Sequence, residues 1–406
     1  MKRRAFVKLT VAGAAALPFA GCQSHSPDTP EPPASTKSAI FHIEQIPANA
    51  VTGTDHHLGV DELIAEMGRR GLKFYRSAGS SAEGGSGGLI AAADVVLIKV
   101  NAQWKYRGCT NSDVVQGLIQ KILEHPDGFS GEVVIIENGQ GRGSLACDTS
   151  STYGNTEVHA NAQDESHSFL WLVDHFDDPR VSARLLDSIG ATFIGANDHA
   201  TDGYRRLDNV SYPCFTTPGG HRVELKEGVW TGSSYASNLK LINVPVLKHH
   251  DVGGSEITAS LKHMYGLVSM SDGQDDFRHY AGLGETCGRM MAAVRTPVLN
   301  ILDCIWVAYQ SLDGYPGSDP YRANQIVASQ DPVALDYWAA KYVLYPIDHS
   351  PTHEPSYPGI STWLTSARST IISLGGLADT SQGIVVDTPT MTESEMTVYT
   401  AVPGSG

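Results

Sequence analysis

The chain is 406 residues long, 41% hydrophobic and 18% charged, with a formal net charge of −15 at pH 7. A chain of that length and apolar content can bury a large core, as one big domain or as a domain with an insertion. The acidic balance argues against nucleic acid or anionic lipid headgroups as partners, so any small anionic ligand has to be held by a local cluster of positive groups.

The first element in chain order is a leader. Arg3-Arg4 is followed by Ala5-Phe6-Val7-Lys8 and an apolar, Ala-rich run from Leu9 to Ala20, which is the layout of an export signal. The run is well short of the roughly 20 residues that span a bilayer, and no later stretch is long and apolar enough, so an integral membrane protein is disfavoured. The arginine pair with Phe two positions on resembles the twin-arginine signal, read by an export machinery that carries folded cargo; an ordinary secretory signal is the alternative. Phe19-Ala20-Gly21-Cys22 resembles a bacterial lipobox, with Phe where Leu is usual. Residues 1–21 therefore read as a signal peptide and Cys22 as the lipidated first residue of the mature protein. The Pro- and Ser-rich stretch 22–37 reads as a tether, holding an α/β domain over 38–400 outside a bacterial membrane, on its periplasmic or cell-surface side. Cleavage before Cys22 removes Lys2, Arg3, Arg4 and Lys8, which moves the formal charge from −15 to −19.

Asp94-Val-Val-Leu-Ile-Lys-Val100 predicts a buried strand. A cap at Thr110 or Ser112 precedes Val114, Val115, Leu118, Ile119, Ile122 and Leu123 at helical spacing, and a second apolar strand follows over Glu132–Ile136. Strand, helix and strand in so short a span make a βαβ unit with a right-handed crossover, hence a parallel sheet. The pattern returns with a strand over Leu239–Val244, a helix from Ile257 to Val268, strands at Val298–Leu302 and Ile326–Ala328, and a helix starting at Asp331. The sum predicts a doubly wound, mainly parallel α/β sheet with helices on both faces. Between these parts, residues 147–230 are rich in Asp, His, Gly and Ser and predict a loop-rich insertion or lid, with helices at Phe169–Phe176 and Val181–Ile189.

Open parallel sheets bind ligands beyond the carboxyl ends of their strands. The residues that end the predicted strands are Lys99 and Asn101, then Glu137 and Asn138, then Asn243 followed by Lys248, His249 and His250, then Asp303; Lys262 and His279 follow in the connection after the third. A lone lysine at a strand end is ordinarily a solvated surface residue. Three on one rim can hold a carboxylate or phosphate, or, with a pKa lowered by burial, act as a base or an imine-forming nucleophile.

These residues also carry a family resemblance. Ile98-Lys99-Val100-Asn101, Thr110-Asn111, Asn243-Val-Pro-Val-Leu-Lys-His-His250, Leu261-Lys262 with Gly266-Leu267, and Asp331-Pro-Val-Ala-Leu-Asp336 together resemble the DUF362 family over roughly Val95 to Tyr342. The resemblance supports Lys99, Asn101, Lys248, His250, Lys262, His279 and Asp303 as a shared polar set and implies no particular reaction. Val100 stands where the family tends to have Pro, and His263 where it tends to have Asn. Some members carry an added ferredoxin-like Cys set and are described as iron–sulfur-centre proteins; Cys109, Cys147, Cys214, Cys287 and Cys304 here include no CxxC, so that label does not transfer. In an oxidising compartment these five leave one or two disulfides open, and the bland reading of Cys304, inside an apolar run, is a buried thiol.

Asn138-Gly-Gln-Gly-Arg-Gly-Ser144 follows a strand and suits a backbone nest for an anion with Arg142 as a clamp, or a flexible loop; it lacks the dinucleotide spacing. Asp331-Pro332 fits a helix cap, and Asp336 inside that helix points either to solvent or to the crevice. Adjacent histidines such as His56-His57 and His249-His250 face opposite ways on an extended segment, although His250, His279 and Asp303 are a possible metal set in three dimensions. The leading expectation is an enzyme on a small anionic or carbonyl-bearing substrate, with Lys99, Asn101, Arg142, Lys248 and Lys262 binding it and His250, His279 and Asp303 moving protons. The alternatives are a non-catalytic binding lipoprotein and a metal-dependent enzyme.

Overall fold

The computed structural model describes residues 37–149, 153–250, 256–379 and 383–404. The leader, Cys22 and nearly all of the tether fall on residues 1–36, outside the described residues. No helix among the described residues is long and apolar enough to cross a membrane.

Among the described residues ten strands form the main sheet: β1 (Ser38–Ile43), β2 (Val95–Val100), β3 (Glu132–Glu137), β4 (Val181–Leu185), β5 (Leu239–Val244), β6 (Val246–His249), β7 (Ile257–Thr258), β8 (Leu299–Ala308), β9 (Tyr321–Ser329) and β10 (Met396–Ala401). Their order is β10-β1-β9-β8-β5-β2-β3-β4, with β6 branching to pair with β8 and β7. The stretch β8-β5-β2-β3-β4 is parallel throughout, whereas β9 runs antiparallel to both of its neighbours. Every residue of β2, β3 and β5 is buried, as expected of central parallel strands covered on both faces. The fold is thus α/β around a large, mainly parallel mixed sheet.

The helices named below are α1 (Leu58–Arg69), α2 (Ser112–Leu123), α3 (Ser260–His263), α4 (Asp276–His279) and α5 (Pro332–Ala339). Asn111 caps α2 by accepting Val114 N–H at 3.2 Å, and Val114, Val115, Leu118, Ile119 and Ile122 bury its apolar stripe. Asp331 caps α5, its Oδ1 accepting Val333 and Ala334 N–H at 3.0 Å each, with Pro332 at the first helical position where no N–H is required.

The structure departs from the sequence reading in five places, the first two being that Asn111 and neither Thr110 nor Ser112 caps α2, and that β8 runs past Leu302 through Asp303 to Ala308. Val181–Leu185 is an edge strand paired with β3, because the short V-S-A-R-L run gains backbone partners there that an isolated helical turn would not supply. The helix expected from Ile257 begins only at Ser260, since Ile257 and Thr258 pair with His249 and Lys248 first. The segment 147–230 holds more regular structure than a lid: besides β4 it supplies most of a five-stranded antiparallel sheet whose strands lie between Gly203 and Ala236. The five cysteines beyond residue 36 are buried thiols.

Candidate functional site

Asn101 joins the ends of neighbouring strands. Its N–H donates to Thr110 Oγ1 at 2.8 Å, Thr110 Oγ1 donates to the Val244 carbonyl at 2.7 Å, and Asn101 Oδ1 accepts Val246 N–H at 3.0 Å. This ties the loop after β2 to the point where β5 ends at Val244 and the chain resumes after Pro245 as β6. β6 then pairs with β8, and Lys248 stands directly opposite Thr258 of β7.

Asp336 of α5 points into the fold. Its carboxylate accepts Ser260 N–H at 2.8 Å, Leu261 N–H at 3.0 Å and the Ser260 hydroxyl at 2.5 Å, so it caps the turn that carries Lys262. The choice left open by sequence, solvent or crevice, resolves to neither: the carboxylate is a support beneath the site.

The result is one cleft of about 360 Å³ lined by Lys99, Asn101, Arg142, Lys248, His250, Lys262 and His279 together with Glu137, Gln140, His263, Tyr265, Asp276 and Tyr280. Lys99 is 1% exposed and its Nζ stands 2.5 Å from Glu137 Oε2. Burial pulls the Lys99 ammonium down while the Glu137 charge pushes it up, and burial raises the Glu137 carboxyl to about 7. Lys248 is 3% exposed, its Nζ donates to the Gly108 carbonyl at 2.7 Å, and burial pulls its pKa down to about 7. Lys262 Nζ lies 3.2 Å from His279 Nε2, and the His279 ring stands edge-on to that of His250, centroids 5.6 Å apart. Arg142 is exposed on the cleft rim, and among the described residues no hydrogen bond or ion pair engages its guanidinium.

The Gly-rich loop that carries Arg142 is a backbone nest whose anion is internal. Gly139 N–H and Gly141 N–H each donate at 2.6 Å to the two oxygens of the Asp187 carboxylate. The loop is thereby anchored on the segment after β4, and Arg142 rather than its backbone is what it offers to a ligand.

His263 replaces an expected Asn without breaking the site. Asn243 Nδ2 donates to the Ser260 carbonyl and to Asn300 Oδ1, both at 2.9 Å, so its Oδ1 must accept, and it takes the proton of His263 Nδ1 at 2.7 Å. Burial and the Lys99 and Lys248 charges hold this histidine far below its ordinary pKa, against a smaller opposing pull from the Val100 carbonyl, so it is neutral.

Asp303 is elsewhere. It is fully buried, accepts Asn111 N–H at 2.8 Å and Ile305 N–H at 2.9 Å, and does not line the cleft. It supports the start of α2, and burial raises it to about 7. The His250, His279 and Asp303 metal set is therefore not assembled, and among the described residues no three His, Cys, Asp or Glu side chains are grouped to hold one ion. The histidine doublets diverge as alternation requires: His57 Nδ1 accepts Val60 N–H to cap α1, His56 bonds Asp61 and Glu124, and His249 bonds His353.

Glu137 was visible as a strand-end residue, yet its ion pair with Lys99 depends on the register of β2 and β3, in which Lys99 stands opposite the neighbouring Ile136. Tyr265, Asp276 and Tyr280 carried no sequence signal, because the connection from α3 through α4 has little periodicity.

Residues 191–341 match the family model described as Domain of unknown function (DUF362), which supports the resemblance to that domain family over this stretch. The matched stretch contains Lys248, His250, Lys262, His279 and Asp303, whereas Lys99, Asn101 and Arg142 precede it. No curated protein and no solved structure matches the chain.

Proposed function

We propose that the cleft binds a small anionic substrate, and that the protein is an enzyme acting on an anionic or carbonyl-bearing compound. The observation that carries this reading is that Lys99, Arg142, Lys248 and Lys262, from four separate stretches of chain, line one cleft in a protein of formal charge −15. Gathering like charges at one place costs Coulomb energy unless an anion offsets it, and burial removes the water that would otherwise screen them. Glu137 pairs with Lys99, whereas no carboxylate among the described residues engages the exposed Arg142 guanidinium on the cleft rim, which favours a negatively charged guest.

In this reading Lys262 and Arg142 hold carboxylate or phosphate oxygens, and His250 or His279 moves a proton at the bound molecule. Export and lipid anchoring at Cys22 belong to the same proposal, as does passage through the twin-arginine machinery, and they rest on the leader sequence alone. Thermal unfolding of the full chain with a panel of carboxylates, phosphates and carbonyl compounds tests the cleft, compared with Lys262→Ala and Arg142→Ala. Stabilisation of the intact chain by a subset of anions, lost in the variants, supports it; identical responses of all three sink it. Turnover of a ligand found this way separates catalysis from capture by a binding lipoprotein.

A further inference from the structure

Lys248 sits in a setting that suits an amine better than an ammonium ion. Its Nζ has one acceptor, the Gly108 carbonyl at 2.7 Å, and among the described residues no carboxylate stands within ion-pair reach. A buried ammonium with one acceptor strands two of its three N–H donors. A neutral amine satisfies the same carbonyl with one N–H and keeps a lone pair. Lys262 on the same cleft disfavours a second positive charge beside it. Burial is the largest influence; Cys109, Asp313 and Glu137 oppose it, Lys262 adds a smaller push in the same direction as burial, and Lys248 comes to about 7, so that the amine is well populated near neutrality. Lys99 differs, since its ammonium is held by Glu137 at 2.5 Å.

We infer that Lys248 is a covalent site whose amine forms an imine with the aldehyde or ketone carbon of a small oxo acid, the acid group being held by Lys262 and Arg142. The inference rests on the cleft reading above and specifies its chemistry. The Lys248 lone pair adds to the carbonyl carbon, and a proton passes from nitrogen to the former carbonyl oxygen, giving a carbinolamine. One further proton converts its hydroxyl to water, which leaves as the nitrogen lone pair forms the C=N bond, so that a protonated imine and one water result with no change in oxidation state. That proton comes from the solvent that reaches the open cleft, since Glu137 is engaged as the counter-ion of Lys99. The imine draws electrons from the neighbouring carbon, which is what a lyase, aldolase or decarboxylase reaction on such an acid requires.

The test is reductive trapping on the full chain. Pyruvate or glyoxylate is added with sodium borohydride, and the digested protein is mapped by mass spectrometry. A borohydride-dependent adduct on the peptide containing Lys248, absent with lactate and reduced at least about tenfold in Lys248→Arg, is expected. Because the adduct is mapped on the unaltered chain, the result stands even where a variant folds poorly. An adduct confined to other lysines overturns the inference, as does the absence of any adduct while pyruvate still raises the melting temperature; in both cases the anion cleft survives. Neither adduct nor stabilisation by any anion overturns both.

Discussion

Lys99 Nζ and Glu137 Oε2 stand 2.5 Å apart at the carboxyl ends of the adjacent strands β2 and β3, and both side chains are almost wholly buried. Such a pair is costly to desolvate, and it is far more costly to leave one charge without the other. Glu137→Gln is therefore expected to destabilise the fold by about 3–5 kcal/mol in urea denaturation, and the double change Lys99→Met with Glu137→Leu by clearly less.

Gly266 lies against this ion pair. A Cβ added there would sit 2.5 Å from Lys99 Nζ and 2.9 Å from Glu137 Oε1, so the smallest side chain forces the two apart. Gly266→Ala is expected to cost about 1–3 kcal/mol and to weaken anion binding, read by denaturation and by calorimetric titration.

Asp336 acts on the cleft through the turn it caps. Asp336→Ala removes the acceptor of two N–H groups and one hydroxyl, and is expected to lower stability by about 1–3 kcal/mol and to loosen Lys262. The anion-induced rise in melting temperature should shrink along with the stability.

Asp303 supplies the contrast. Asp303→Asn keeps the shape of a side chain that lies outside the cleft, and is expected to destabilise the protein by about 1–3 kcal/mol while leaving anion affinity unchanged in calorimetric titration at low temperature. A tenfold loss of affinity in this variant would place Asp303 back among the ligand-binding groups.

Anion binding should depend on pH with a defined sign. Lys248, brought down to about 7, is charged below that pH and neutral above it; Glu137, raised to about 7, is neutral below and anionic above. Both changes remove positive charge as pH rises, so affinity for a non-reactive dianion such as oxalate should fall about tenfold between about pH 6 and about pH 8. The slope should be shallower in Lys248→Ala.

Much of the fold was legible because its central elements are locally consistent. β2, α2 and β3 combine apolar runs, a capped helix and helical spacing, so one short window shows them. β4 was not legible, since V-S-A-R-L is too short to display a period and its pairing with β3 is decided from outside the segment. β9 was legible as a strand at Ile326–Ala328, but its antiparallel direction was hidden, because direction is a property of the partner strand and not of the strand itself.

By itself the sequence determined which chemical groups end the strands: lysines, asparagines and acids following apolar runs, in a chain too acidic to attract anions except locally. Only the tertiary structure decided where those groups point. β8 runs on through Asp303 to Ala308, so this acid, which the sequence placed at a strand end, lies within the strand and meets the start of α2, whereas Lys248 near the end of β6 faces the cleft. Burial completed the distinction, since a lysine written as a cation in the chain becomes an amine near neutrality only where folding removes its water and leaves it a single carbonyl.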